Sequence, residues 1–138
     1  MRALLDTSVL IAEDPPSDVE AAISVASIAE LHFGVLVATD DDERALRTAR
    51  LAAVESTFDP LPITVRIARE WGRLSSAVHN RGGQPHRRSI DLAIAATANI
   101  HGAPLLTHNT GDFQIISDLV DTRNPLEPGS ARPERAAD

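Results

Sequence analysis

The chain has 138 residues, 43% of them apolar, which is the size of one ordinary domain with a single core. Its net charge of −7 argues against broad, non-specific nucleic-acid binding, which needs a surplus of Lys and Arg, while leaving room for a local cationic edge. With no cysteine and no lysine, it has no disulfide, thiolate metal site, thiol nucleophile, P-loop or lysine-assisted phosphoaspartate.

The predicted elements begin with an apolar run, residues 2 to 6, that does not alternate, as in a strand buried on both faces of a parallel sheet; Asp6 stands at its carboxyl end. Thr7-Ser8 is expected to cap a short helix through Ile11, before Asp14-Pro15-Pro16-Ser17 breaks the chain. A second strand is expected from Ala21 to Val25. Ser27 should start a helix in which Ile28, Leu31, Val35 and Leu36 recur at helical spacing, ending near Ala38. Asp40-Asp41-Asp42-Glu43 opens the next helix, where acids favour the amino end of the dipole.

Leu61-Pro62-Ile63 reads as a third strand, and Thr64 caps a helix carrying Val65, Ile67, Ala68, Trp71, Leu74 and Val78, which stops before Arg81-Gly82-Gly83. A long helix is expected from Arg88 to His101, ended by Gly102, with a fourth strand over Pro104-Leu105-Leu106-Thr107. Asn109 to Phe113 reads as loop and helix start, and a last strand lies near Leu119-Val120. Residues 1–123 are expected to form the domain and 124–138, rich in Pro, Gly and Arg, a flexible tail. No apolar stretch is long enough to span a bilayer and an acid follows Leu5 too early for a signal peptide, so a cytoplasmic protein is expected. Strands alternating with helices predict a three-layer α/β/α sandwich around a central, mainly parallel sheet. Ligands in such sheets bind beyond the carboxyl ends of the strands.

Asp6 and Asp112, in the loop from Asn109, are expected at that edge, with Glu30 and Asp91 in first helical turns able to point to it. Each has an ordinary reading. Ser27-Ile28-Ala29-Glu30 fits a capping box, Asp91 and Asp112 suit helix starts, and Asp6 suits a turn. Their combination is harder to explain so, because Asp6 follows a strand predicted to be central and Asp91 lies among Ile90, Leu92 and Ile94. Clustered acids must protonate, pair with arginine or bind a cation, and hard oxygen ligands select Mg²⁺ or Mn²⁺. The five histidines show no paired spacing and are given surface or core roles, with His108 singled out because it flanks Asn109. Arg87 and Arg88, shortly before Asp91, and Arg81, before Gly82-Gly83, are candidates for phosphate contacts or for pairing with surface acids.

The segments Leu5-Asp6-Thr7-Ser8-Val9-Leu10-Ile11, Ser27-Ile28-Ala29-Glu30-Leu31, Asp91-Leu92-Ala93-Ile94-Ala95-Ala96-Thr97-Ala98 and Thr107-His108-Asn109-Thr110-Gly111-Asp112-Phe113 resemble, in order, the signature of PIN-domain ribonucleases of the VapC-toxin type. The resemblance implies a Mg²⁺- or Mn²⁺-dependent endoribonuclease that blocks translation by cutting a structured RNA, either tRNA or rRNA. It also implies a VapB-type antitoxin partner, a homodimer and a toxin–antitoxin hetero-oligomer, with the broad apolar helix faces supplying the contacts. It makes Asp6 and Asp91 the principal metal ligands. Glu30 and Asp112 complete the catalytic set, Asn109 or Asp112 faces the metal, and Thr7 and Thr107 give supporting hydroxyls. A catalytically silent PIN-like module that holds a protein or RNA partner is the alternative; a small-molecule phosphohydrolase is disfavoured by the lack of a DxD pair after the first strand.

Overall fold

The computed structural model describes residues 1–12 and 18–126; the expected break at Asp14–Ser17 and all of the expected tail beyond residue 126 lie outside them. Four parallel strands, β1 (Arg2–Leu5), β2 (Glu20–Ala22), β3 (Leu105–Leu106) and β4 (Thr122–Arg123), form one sheet in the order β2-β1-β3-β4. The helices are α1 (Thr7–Ala12), α2 (Val25–Leu36), α3 (Asp41–Thr57), α4 (Val65–Asn80) and α5 (Ser89–Ile100), with 3₁₀ turns at Pro85–Arg88 and Thr110–Ile116.

The strands are short, and their apolar side chains divide between two cores. Leu4 and its partner Leu105 face one, with Ile67, Leu74 and Val78 of α4 and most of α5. Ala3, Leu5 and Leu106 face the other, with Val9 of α1, Leu31 of α2 and Val54 of α3. Period-two alternation along a strand buried on both sides thus produces the three-layer α/β/α arrangement, as expected. Residues Leu92 to Ala98 of α5 are all buried. Apolar positions all round a helix mark it as enclosed, and four alanines let its neighbours approach closely.

Several boundaries differ from the sequence reading, each for a local reason. Helix α2 starts at Val25, and its cap is Ser24, whose hydroxyl accepts from Ala26 N at 3.0 Å. Ser27 is inside the helix, so Glu30 lies in the second turn and the capping-box explanation of it fails. The helix ends at Leu36, just short of the expected Ala38. The expected third strand at Leu61-Pro62-Ile63 is only an isolated parallel bridge between Leu61 and Ser24, because Pro62 has no N–H to extend a ladder. The last strand is Thr122–Arg123; Leu119 and Val120 instead pack on the core at the end of the preceding turn. Strand β2 covers Glu20–Ala22 rather than 21–25, since the chain turns into the α2 cap, and β3 keeps only two of its four expected residues. The helix predicted from Arg88 begins as a 3₁₀ turn whose first residue is Pro85, and α5 proper starts at Ser89; Gly102, at φ +65°, follows its end as expected. Thr64 caps α4 as predicted, accepting from Ile67 N, and the acidic run opens α3 as expected, with Asp40 as its cap, accepting from Glu43 N.

The reassigned cap is testable. Ser24→Ala should lower unfolding stability by about 1 kcal/mol in a urea titration, with the α2 amides exchanging faster; an unchanged midpoint would remove Ser24 from that role.

Candidate metal centre

Parallel pairing builds the site. Leu5 of β1 is in register with Leu106 of β3, so the residues that follow, Asp6 and Thr107, emerge side by side at the carboxyl edge of the sheet, with Asp6 N donating to Leu106 O at 2.9 Å. Asp6 is 3% exposed. Its Oδ2 accepts from Thr107 Oγ1 at 2.8 Å and from Ser8 Oγ at 2.9 Å. Its Oδ1 is buried with no partner among the described residues. Thr107 Oγ1 also accepts from Asn109 N, and Ser8 Oγ from His108 N, which stitches the β3 loop to the start of α1.

Helix α2 contributes Glu30. Thr7, the residue after Asp6, bonds both Ser27 Oγ (2.9 Å) and Glu30 Oε1 (2.5 Å), so one hydroxyl ties the glutamate to the end of β1. Burial pushes the Glu30 carboxyl above its ordinary range, the Thr7 bond opposes this, and repulsion from Asp6 adds to it. Asp91, in the first turn of α5, is pushed from 3.8 to about 6, chiefly by burial and then by the charges of Asp6, Glu30 and Asp112; only Arg88 opposes. One carboxylate feeling three others places the four acids around a common space.

Arg88 pairs with acids, one of its two expected roles, and the acids are those of the cluster. Its Nη1 is 3.1 Å from Asp112 Oδ1 and 3.8 Å from Asp91 Oδ2, so a cation already borders the cluster on one side. Asp112 therefore joins the group through its carboxylate, whereas Asn109 enters through its backbone: its N–H donates to Thr107 and its carbonyl accepts from Asp112 N at 3.0 Å. Arg81 lies elsewhere, paired with Asp118 and the Ile115 carbonyl. Of the residues the sequence reading passed over, Ser8 and Ser27 matter most. Ser8, two residues after Asp6, could have been found from that spacing; Ser27 was taken for a cap.

A divalent cation fits the chemistry of this place. The groups are hard oxygen donors, and a buried carboxylate oxygen lacking any hydrogen bond needs a cation, a water or a proton. Among the described residues, no three acidic or histidine side chains converge closely enough to enclose an ion as they stand. The fit is thus one of donor type and charge. His108 Nε2 is buried with no partner among the described residues.

The sign of the Asp91 shift fixes a pH effect. A carboxyl whose folded pKa exceeds its unfolded one holds more protons folded than unfolded between those values, so it stabilises at low pH and that stability is lost as pH rises from about 4 through about 6. In metal-free buffer, Asp91→Asn should therefore be more stable than wild type at pH 7, by about 1–2 kcal/mol after allowance for solvent screening, and equal to it near pH 4. Denaturant midpoints across this range measure the difference. A gap that does not grow with pH contradicts the coupling.

Residues 3–119 match the family model for the PIN domain. Ribonuclease VapC5 of Mycobacterium tuberculosis is 35% identical over 113 residues, covering 77% of this chain and 82% of that protein. Ribonuclease VapC21 of the same species is 35% identical over 108 residues, covering 75% and 73%. The crystal structure of VapBC-5, a member of the VapBC family of toxin–antitoxin systems from M. tuberculosis, superposes with a TM-score of 0.75 at 35% identity, over 89% of this chain and 96% of that one. With the acids set at the carboxyl edge of a β2-β1-β3-β4 parallel sheet and a match over nearly the whole described chain, this protein belongs to the PIN-domain family, among its VapC members.

Proposed function

We propose that the chain is a Mg²⁺- or Mn²⁺-dependent endoribonuclease, the toxin of a VapBC pair, which inhibits translation by cutting a structured RNA, tRNA or rRNA, and is neutralised by a VapB-type antitoxin. The observation that carries this reading is Asp6 Oδ1, buried and without a partner among the described residues, beside Glu30 and Asp91, whose carboxyls burial and neighbouring charge push above their ordinary range. Asp6 and Asp91 would hold the ion, with Glu30 and Asp112 completing its surroundings. When bound, the ion supplies positive charge at the scissile phosphate and acidifies a water for in-line attack. The protein's own part is positional. Thr107 and Ser8 occupy Oδ2 of Asp6 and leave Oδ1 unbonded among the described residues, and Thr7 holds Glu30 against the same edge. No side-chain nucleophile is required.

The antitoxin and dimer contacts draw support from apolar surface left uncovered. Phe33 and Leu36 of α2 are 65% and 68% exposed, Leu46 of α3 is 56% exposed and Val65 of α4 67%. Large apolar side chains in such numbers on neighbouring helices α2 and α3 fit a partner that covers them. The crystal structure at 35% identity is of a VapBC member, which supports a VapB-type partner for this chain.

A second reading, a catalytically silent PIN-like module, draws on Arg88. An arginine across Asp91 and Asp112 relieves part of the repulsion without any ion. Calorimetric titration with Mn²⁺ separates the two, since a silent module has no use for the ion.

Mg²⁺ or Mn²⁺ should raise the melting temperature of the wild type at pH 7 and abolish the pH-dependent gap to Asp91→Asn, because an ion bound only by the folded state stabilises it by mass action. Asp6→Ala and Asp91→Asn should remain folded by circular dichroism, lose that thermal shift and cut RNA at least 100-fold more slowly, of the order expected when a bound metal is displaced. Either variant cleaving at the wild-type rate in Mg²⁺ would refute the ligand assignment.

A further inference from the structure

We propose that the cleft between the end of α4 and the Thr110–Ile116 turn is a nucleotide subsite, seating the base and phosphate next to the phosphodiester that is cut; this rests on the nuclease reading above. The cleft measures about 490 Å³, within the range of roughly 300–1,000 Å³ typical of small-ligand pockets. Asp112 and Arg88 line it and also border the acid cluster, so a strand lying in it leads directly to that cluster.

Its chemistry suits a nucleotide. Val78, Gly83 and Ile115 give it an apolar wall. That wall is closed only because residue 83 lacks a side chain: a Cβ there would stand 2.7 Å from Val78 Cγ1 and 2.9 Å from Ile115 Cδ1. The exposed amides of Gln84 and Gln114 carry both donors and acceptors, as base edges require. Arg87 is exposed, and its guanidinium makes no hydrogen bond or ion pair with any other described residue, so it is available for a phosphate or the face of a base. With three Phe, one Trp and no Tyr, the chain has few aromatic platforms, and this wall with its arginine replaces one.

The cavity on the Glu30 side is a weaker candidate. It is smaller, about 280 Å³, and its Arg47 is already bonded to the Gly34 carbonyl and to Glu43. An acidic peptide in the Asp112 cleft would meet Asp112 without gaining from the apolar wall or the amides.

Two substitutions test this in the full chain. Arg87→Ala removes the phosphate contact. Gly111→Phe fills the mouth of the cleft, where a Cβ meets nothing within 4 Å. Each should lower kcat/KM on a pool of folded tRNA and rRNA about tenfold, in keeping with loss of one base or phosphate contact, while Mn²⁺ affinity by calorimetry stays at the wild-type value. Arg87→Ala should also make the dependence of log affinity on log salt shallower by about 0.7, the amount for one phosphate of a single strand. Unchanged RNA cleavage in both variants overturns the proposal, as does a parallel fall in Mn²⁺ affinity, which would mean damage to the acid cluster. Intact RNA cleavage with loss of antitoxin binding would give the cleft to a protein partner instead. A wild type that cuts no RNA at all brings down the nuclease reading and this one with it, an outcome distinct from the failure of the variants alone.

Discussion

The site is governed by the cost of holding four carboxylates at one sheet edge where water is partly excluded. Burial is the largest contribution for both Glu30 and Asp91, with mutual repulsion added to it. The amino end of α5 works against this cost, yet a first-turn acid gains only about 0.3–1 kcal/mol from the helix dipole. A carboxyl raised to about 6 shows that the dipole loses. The acids therefore sit where they do because the backbone puts them there, not because the local field favours their charge.

That backbone constraint starts with the register of two strands. Leu5 pairs with Leu106, and the next residues in each chain segment, Asp6 and Thr107, inherit the alignment. The two-faced burial of Leu4, Leu5, Leu105 and Leu106 fixes this register, because a slip of one residue would send each leucine into the opposite core. The hydroxyls of Thr107 and Ser8 then satisfy one oxygen of Asp6, leaving the other without a partner among the described residues. Packing of apolar side chains thus sets the position of a charged atom several ångströms away.

Much of this was legible in the sequence because it rests on local signals. The unbroken apolar run before Asp6, the acidic run opening α3, the cap at Thr64 and the glycine after His101 each have one physical meaning at their position. The family signature located all four acids. Where the reading failed, two local signals competed. Ser24 and Ser27 are both good caps, and only the parallel bridge to Leu61, which bends the chain just before Val25, decides for Ser24. Leu119-Val120 has the composition of a strand, but Ile116 closes the preceding turn onto both residues, and pairing with Leu105 falls to Thr122. Arg88 was placed near Asp91 by spacing, but its closer approach to Asp112, 24 residues further on, depends on how the 3₁₀ turn after Asn109 folds back. No pattern of residues in one segment carries that information.

Arg88 also decides how the cluster tolerates itself without an ion. Its side chain is 45% exposed and those of its partners 25% and 34%, so the pair belongs to the class of partly solvated ion pairs worth about 0–1 kcal/mol. It reaches Asp112 well, Asp91 at a longer distance, and Asp6 Oδ1 not at all among the described contacts. The arginine consequently lowers the repulsion at the solvent side of the cluster while leaving the buried oxygen uncompensated. On the proposed reading, a small divalent cation would supply charge to that inner oxygen, and the weak Arg88 bridge would be little obstacle to it. The rim of the cluster is thus partly neutralised, while its buried oxygen, among the described residues, is not.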